Sequence, residues 1–265
     1  MAKIISKKLL APNIYEMEVE AKDASQKSDA GNFVKVKISE KSERIPLTVA
    51  DFDKEKGTIT LVIQAIGKST KDIIALNPGD EILDFLAPLG NHTETEDSDI
   101  AVVIGGGVGV APVFPLARKL KQEGKKVISI IGYRSKDHIF WLEKMKAFSD
   151  EVLVYTNDGS FGDKGFVTDG LNRILKNTKI NSVYAIGPTI MMKAVSDITK
   201  PLGIRTVVSL NSLMVCGLGM CGACRVTVGG KVKFTCKDGP DFLAKDVDFN
   251  ELMLRLTAYK EEEAQ

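Results

Sequence analysis

Ile100-Ala-Val-Val-Ile-Gly-Gly-Gly-Val-Gly-Val-Ala-Pro112 carries the strongest fold signal in this chain. Its first five residues are apolar and mostly β-branched, the pattern of a strand buried on both faces of a parallel sheet. Four glycines follow within five positions, and a helical pattern then runs over Val110–Gln122 with Pro112 in its first turn. Glycines between a strand and a helix let the backbone approach a pyrophosphate, whose negative charge the helix N-terminus favours. The run is not the standard G-x-G-x-x-G. A tight strand-to-helix turn is the alternative, but three consecutive glycines plus a fourth exceed what a turn needs, so a nucleotide site is expected at residues 105–111.

The surrounding chain carries the same rhythm. Apolar strands are predicted near residues 127–131, 151–155, 183–186 and 206–209, with helices near 140–147, 169–175 and 190–199. That alternation predicts a doubly wound parallel α/β domain over residues 98–210. Ligands of such sheets sit beyond the carboxyl ends of the strands. Gly187-Pro188 falls on that edge, as does the loop 156–162, in which Asp158 could cap a turn or contact a ribose.

Upstream, residues 1–97 show short alternating runs at 14–19, 33–38, 58–63 and 81–86. Turn signals at Lys56-Gly57 and Asn77-Pro-Gly-Asp80 separate them. A small antiparallel barrel or sandwich is expected there, with one helix over residues 69–75 and a loop over the polar residues 23–29. Arg44-Ile-Pro-Leu-Thr-Val49 reads as an edge strand carrying a proline. Its arginine is of the type that pairs with phosphate, and its threonine hydroxyl is of the type that bonds a flavin ring nitrogen. Gly67-Lys-Ser-Thr70, before a helix, is a second candidate phosphate cradle.

Downstream lies the chemistry that composition makes conspicuous. The chain has 265 residues and four cysteines, and these are Cys216, Cys221, Cys224 and Cys236. A disulfide framework would spread its cysteines over the fold, so this cluster reads as one metal or redox site. The spacing C-x4-C-x2-C with a later fourth cysteine follows plant-type [2Fe–2S] proteins, although the last gap is shorter. Zinc ribbons prefer two C-x2-C knuckles; zinc and a redox dithiol remain as alternatives. Glycines 217, 219 and 222 would let backbone N–H groups turn toward the sulfurs. A helix is expected over residues 249–263.

The remaining composition narrows the class. A formal charge of +1 is far from the basic excess of nucleic-acid proteins. Only His92 and His138 offer imidazoles, too few for histidine-rich metal chemistry. The first ten residues lack the apolar core of a signal peptide. Residues 100–117 and 207–224 are uncharged for 18 positions each, but the first holds four glycines and two prolines and the second three glycines and three cysteines. No membrane span is expected, and a reducing, cytoplasmic location is.

A nicotinamide gives up two electrons together, and an iron–sulfur cluster takes one at a time. A flavin can do both, so a nucleotide domain joined to a cluster segment implies a flavin, and the β-domain is the place left for it. The chain is therefore expected to be an α+β multidomain protein. An antiparallel β-barrel FAD domain would occupy residues 1–97, a doubly wound parallel α/β nucleotide domain 98–210, and a small C-terminal [2Fe–2S] segment with its helix 211–265.

With these motifs in hand the whole chain resembles the ferredoxin-reductase superfamily. It is similar in particular to the electron-transfer subunits of dihydroorotate dehydrogenase B and to the small-subunit group of the NADH-dependent reduced ferredoxin:NADP oxidoreductases, or sulfide dehydrogenases. The runs Val208-Ser-Leu-Asn-Ser-Leu-Met-Val-Cys216, Gly219-Met-Cys-Gly-Ala-Cys-Arg-Val-Thr-Val228, Phe234-Thr-Cys-Lys-Asp-Gly-Pro-Asp-Phe242 and Val247-Asp-Phe-Asn-Glu-Leu-Met253 carry the resemblance. It implies that Pro46, Leu47 and Thr48 hold the flavin ring and that Arg44 lies near the flavin phosphates. It places Val62, Ile63 and Gln64 along the flavin, and Gly67, Ser69 and Thr70 at its pyrophosphate. Gly106, Gly107, Val108, Gly109 and Ala111 would meet NAD(H) or NADP(H), with Asp158, Gly187 and Pro188 around it. Cys216, Cys221, Cys224 and Cys236 would ligate the cluster.

Three positions depart from the family pattern. Ile45 precedes the proline where relatives often have arginine, Leu47 stands where many have an aromatic residue, and Cys216 stands where some members use aspartate. The implied function is transfer of electrons from NAD(P)H through FAD and the cluster to a larger iron–sulfur flavoprotein partner in a heterodimer, with ferredoxin reached through that partner and bifurcation among the family's activities. The alternatives are the dihydroorotate dehydrogenase B subunit and, from another class, a non-catalytic redox sensor or adaptor. No acid–base residue is required, so no catalytic side chain is assigned. Arg134, Ser135 and Lys136, after the second strand of the nucleotide domain, would either meet a 2′-phosphate or form a solvated basic loop.

Overall fold

A computed structural model describes residues 2–95 and 99–258. The N-terminal part is a seven-stranded antiparallel sheet of β1 (Ala2–Ala11), β2 (Ile14–Glu20), β3 (Phe33–Lys37), β4 (Ile45–Asp53), β5 (Thr58–Gln64), β6 (Glu81–Ile82) and β7 (Asp84–Leu89). Their order is β6-β1-β2-β5-β4-β3-β7. The two outermost strands are joined through Leu83 alone, so the sheet curls into a nearly closed barrel. Met17, Val19, Val34, Val36, Ile59, Leu61 and Ile63 fill it, the alternation of period two that each strand's sequence shows.

The second layer is a sheet in the order β11-β10-β9-β8-β12-β13-β16. It comprises β8 (Ile100–Gly106), β9 (Lys126–Tyr133), β10 (Glu151–Thr156), β11 (Asp163–Lys164), β12 (Ser182–Ile186) and β13 (Arg205–Ser209), all parallel, with β16 (Asp241–Leu243) added antiparallel to β13. A hairpin of β14 (Arg225–Val228) and β15 (Lys231–Phe234) precedes β16. Helices α3 (Val110–Gln122) and α4 (Leu142–Ala147) cover one face and α5 (Val167–Asn177) and α6 (Thr189–Thr199) the other. No helix among the described residues is long and apolar enough to cross a membrane.

Four expectations are corrected. The polar stretch 23–29 is not a loop throughout: Lys22–Lys27 form helix α1, because Ala24 and Ser25 present a buried face to the barrel. The run 81–86 divides into β6 and β7 at Leu83. The helix expected over 249–263 is α7 (Phe249–Arg255), and residues 259–263 lie outside the described residues. β4 is an interior strand, paired to both β3 and β5. Pro46 is tolerated because β5 pairs β4 only from Val49 onward, so at Pro46 the strand has a neighbour on one side and no N–H is missed.

The barrel and the parallel sheet are held in fixed register. Ala11, Ile14, Ala50 and Val62 of the barrel share one apolar core with Val110, Phe114 and Leu116 of α3. Polar links flank this core: Arg118 donates to Asp51 at 2.6 Å, Lys119 to Asp29 at 2.9 Å, and the Trp141 indole to Glu16 at 2.7 Å. Trp141 adopts a left-handed backbone (φ 56°), uncommon for a bulky residue. Its ring meets Phe114 edge-on and carries the Lys144 ammonium 3.9 Å from its centre, contacts that offset the strain.

Candidate functional site

The carboxyl ends of β8 and β12 open onto a cleft of about 520 Å³ between the parallel sheet and the barrel. β4 contributes Pro46, Leu47 and Thr48; β5 contributes Val62, Ile63 and Gln64; Thr70 comes from α2 (Lys68–Ala75). The facing wall is Gly106, Gly107, Val108, Gly109 and Ala111 with Gly187 and Pro188. Apolar walls with a few hydroxyl and amide groups suit a flat aromatic ligand with a polar edge.

Gly106, Gly107 and Pro188 also line a second cleft, of about 440 Å³, which runs on past Gly132, Tyr133, Arg134, Asn157, Thr168 and Met191. The two clefts therefore meet at the glycine loop. A ligand lying in the second would meet one lying in the first there.

The glycines of this junction are close-packed. A Cβ on Gly187 would sit 2.7 Å from Met191 Cε, and one on Gly109 would sit 2.8 Å from Gly187 Cα. Glycine at these two positions lets the loops after β8 and β12 pack against each other and against α6. Tyr133 lies beside the junction with its hydroxyl donating to Phe140 O at 2.6 Å, and burial pushes its phenol well above the usual range, so it stays protonated.

Four of the residues singled out by sequence do not line either cleft. The Arg44 guanidinium pairs with the Asp84 carboxylate of β7. Ser69 donates to Glu43 at 3.0 Å. Gly67 caps α2, its carbonyl accepting the Thr70 hydroxyl at 2.9 Å. Asp158 caps its own turn, accepting the Ser160 hydroxyl at 2.6 Å and the Ser160 N–H at 3.0 Å, and these bonds hold its carboxyl below the usual carboxylate range. Ser160 in turn accepts the Lys136 N–H, so this turn braces the loop after β9.

Sequence reasoning missed Phe33, Ser209, Leu210, Asn211, Met214 and Pro240, all of which line the first cleft. The rule that ligands lie beyond the carboxyl ends of parallel strands points to Leu210 and Asn211, since they follow β13. Phe33 and Pro240 had no such signal.

The cysteine site lies behind that wall. Gly217, Gly219 and Gly222 have φ of 74°, 77° and 71° and wind the loop so that its N–H groups face sulfur. Leu218, Met220 and Cys221 N–H groups each point at Cys216 Sγ at 3.4 Å, Gly219 N–H at Cys236 Sγ at 3.1 Å, and Ala223 N–H at Cys221 Sγ at 3.5 Å. Cys224 and Cys236 sulfurs are 3.2 Å apart, and the Cys221 thiol hydrogen-bonds the Cys216 sulfur. The sulfurs thus converge in two pairs, Cys216 with Cys221 and Cys224 with Cys236. Two irons taking two thiolates each require that arrangement. Four thiols and a cage of N–H donors therefore fit a [2Fe–2S] cluster better than one zinc ion.

Cys224 and Cys236 are buried and pack with Phe33, Leu89, Met214 and Phe234. Phe33 and Met214 belong to the first cleft as well, so these two side chains are the partition between cleft and sulfurs. Cys216 is half-buried and Cys221 exposed.

Their environments split the thiols. The N–H of Leu218, with those of Cys221 and Met220, brings Cys216 down to about 6, while burial, with the Cys224 thiol beside it, pushes Cys236 up to about 12. In iron-free, reduced protein, alkylation of Cys216 by iodoacetamide is expected to rise with pH through about 6 and level off, because the thiolate reacts. Cys236 is expected to stay unlabelled at pH 7. Peptide mass spectrometry reads both, and equal labelling of the two would contradict it.

Comparisons with known proteins agree with this geometry. The family described as the iron–sulfur cluster binding domain of dihydroorotate dehydrogenase B matches residues 211–248, and the oxidoreductase NAD-binding domain family matches 103–197. The dihydroorotate dehydrogenase B (NAD(+)) electron transfer subunit homolog of Thermotoga maritima is 42% identical over 98% of this chain and 92% of its own length. The dihydroorotate dehydrogenase B electron transfer subunit of Fusobacterium nucleatum is 32% identical over 90% of this chain and 94% of its own. A chain in the solved structure of the NADH-dependent reduced ferredoxin-NADP oxidoreductase, a flavin-based electron-bifurcating enzyme, superposes with a TM-score of 0.95 at 40% identity, over 100% of this chain and 95% of that one.

Proposed function

The chain belongs to the family of dihydroorotate dehydrogenase B electron transfer subunits and their homologues, and from that premise we propose that it is an NAD(P)H-dependent flavin and iron–sulfur oxidoreductase subunit. It carries electrons between NAD(H) or NADP(H), FAD and a [2Fe–2S] cluster, and passes them to a partner subunit. The observation that carries this reading is the order of the sites: second cleft, glycine junction, first cleft, Phe33–Met214 partition, cysteines.

FAD, when bound, supplies the exchange between a two-electron donor and a one-electron acceptor. The protein's part is placement. Gly106, Gly107 and Gly109 bring backbone against the dinucleotide, and the N-terminus of α3 favours its phosphates. Pro46, Leu47 and Thr48 with Val62, Ile63 and Gln64 hold the flavin ring between barrel and glycine loop. Cys216, Cys221, Cys224 and Cys236 hold the cluster, with Leu218, Gly219, Met220, Cys221 and Ala223 N–H groups favouring its negative charge. The division at residues 97 and 210 and a cytoplasmic location, where thiols stay reduced, belong to the same reading.

Anaerobic mixing of the purified protein with NADH or NADPH tests it. Bleaching of the flavin followed by the spin signal of a reduced cluster is expected. A flavin that neither nucleotide bleaches would overturn the enzyme in favour of a redox sensor.

The partner is read as a larger iron–sulfur flavoprotein, a reading supported by the superposition on a chain of the ferredoxin-NADP oxidoreductase over nearly its full length. The dihydroorotate dehydrogenase partner is the second reading, supported by the relatives' names. Val215, Leu218 and Met220 expose apolar surface around the open side of the cysteine loop, Met220 at 82%. This rim is where the electron must leave, and such a patch suits an obligate partner. Met220→Asp is expected to keep iron and flavin yet weaken association about tenfold or more, measured by anaerobic co-elution with the native partner. Identifying that partner decides the final acceptor.

A further inference from the structure

The electron path leaves one buried charge unexplained. Lys35 stands in the middle of β3, fully buried, beside Pro46 of β4 on the cleft side and Leu86 of β7 on the other. Its stem runs under the cysteine loop, where Gly217 lacks the Cβ that would strike it. Its Nζ donates to the carbonyl of Val215, the residue before Cys216. No ion pair joins it to a carboxylate among the described residues; the Asp84 carboxylate, on the neighbouring strand, is held by Arg44.

An ammonium buried without a counter-ion costs far more than one hydrogen bond returns. Burial, and then Arg44, hold the Lys35 ammonium below the usual lysine range, and Cys216, Cys221 and Cys236 oppose that in part. Metal binding removes the thiol protons, so these sulfurs become a concentrated negative charge facing the lysine.

We propose that Lys35 is the built-in counter-charge of the cysteine site, a positioning residue that anchors the loop presenting Cys216 and raises the reduction potential of the cluster. This rests on the function proposed above. The step it favours is the passage of one electron from reduced FAD, itself reduced by NAD(P)H, to the oxidised cluster. The cluster gains one negative charge, no bond changes, and no proton is taken from Lys35. A positive charge lodged nearby in a low-dielectric interior stabilises the more negative state. It also ties the barrel to a segment 180 residues away, so the site that holds flavin and the site that receives its electrons share one strand.

The test uses the holoprotein and three variants, Lys35→Gln, Lys35→Met and Lys35→Arg. Glutamine keeps an N–H donor for Val215 without the charge, and arginine keeps the charge. The cluster midpoint is read by spin-resonance redox titration, with iron per chain and NADH bleaching of the flavin measured in parallel. At a given ambient potential the reduced-to-oxidised ratio of the cluster is expected to fall about tenfold in K35Q and K35M, about 59 mV for a one-electron couple, and to return in K35R. An unchanged midpoint in iron-loaded K35Q overturns the proposal. Should K35M alone lose iron, the K35Q midpoint decides. Should K35Q lose iron while K35R keeps it, the counter-charge role is supported. Loss from K35R as well overturns it in favour of packing. A wild-type protein that lacks iron, or whose flavin no nucleotide bleaches, refutes instead the functional reading, and is seen before any variant is made.

Discussion

Cys224→Ala protein is expected to bind FAD and be bleached by NADH, yet to hold almost no iron and pass no electrons beyond the flavin. Cys224 is 2% exposed and its sulfur lies 3.2 Å from that of Cys236, so the pair would form one half of the proposed ligand set. Without it one iron keeps a single protein thiolate. Loss of an outer-shell partner alone lowers metal affinity 10–100-fold, and loss of a ligand is expected to exceed that, about a hundredfold or more. Iron per chain, the cluster spin signal and reduction of a one-electron acceptor measure it. Cys221→Ala separates ligation from packing, because Cys221 is exposed whereas Cys224 packs with Phe33. Both variants should lose iron alike, and only C224A should also melt earlier. Full iron content in C224A would remove Cys224 from the ligand set.

The second large effect is expected from Gly109→Ala. Gly109 has an ordinary helical backbone (φ −60°), so alanine brings no conformational strain. The obstacle is space: the new Cβ would lie 2.7 Å from the Ile186 carbonyl carbon and 2.8 Å from Gly187 Cα, and closer still to the Ile186 oxygen. These are backbone atoms, and no side-chain rotation relieves the contact. The loops after β8 and β12 must separate, and they are the two that frame the junction of the clefts. A misplacement of about 1 Å can cost about a hundredfold in rate, so flavin reduction by NADH is expected to slow by about that factor in stopped-flow measurements.

Gly107→Ala is the contrast. Gly107 has φ of +57° and open space around its Cβ position. Left-handed backbone should cost about 1–2 kcal/mol of stability, seen as a lower Tm, without driving the loops apart. Equal rates in G109A and wild type would show that the loop spacing does not set nicotinamide placement.

The features legible in the sequence share a physical basis. Gly105 to Gly109 and the four cysteines act through spacing along the chain, and a few adjacent residues suffice to set a tight turn or a row of sulfurs. The barrel strands were legible because alternation reports burial of one face, and the parallel strands because unbroken Val and Ile runs report burial of both. Helix α1 was not, because its composition is polar and only two small residues, Ala24 and Ser25, face the core.

Other features had no local signature. β16 joins the cluster segment to the nucleotide sheet through three residues, Asp241–Leu243, too few to show a period. Arg44 has the chemistry of a phosphate ligand, but Asp84, forty positions on, takes its guanidinium in this structure.

Composition and motif spacing along the chain were enough to indicate a nicotinamide dinucleotide, a flavin and a two-iron cluster, and to propose the glycine turn and the C-x4-C-x2-C loop as two of their sites. The order of the two clefts and the cysteines in space comes only from the folded chain. Phe33 and Met214 become a shared wall, and Lys35 reaches Val215, because the barrel, the parallel sheet and the cysteine loop bury one another's surfaces. Which distant residues meet is set by competition for burial over the whole chain, and no stretch of neighbouring residues records its outcome.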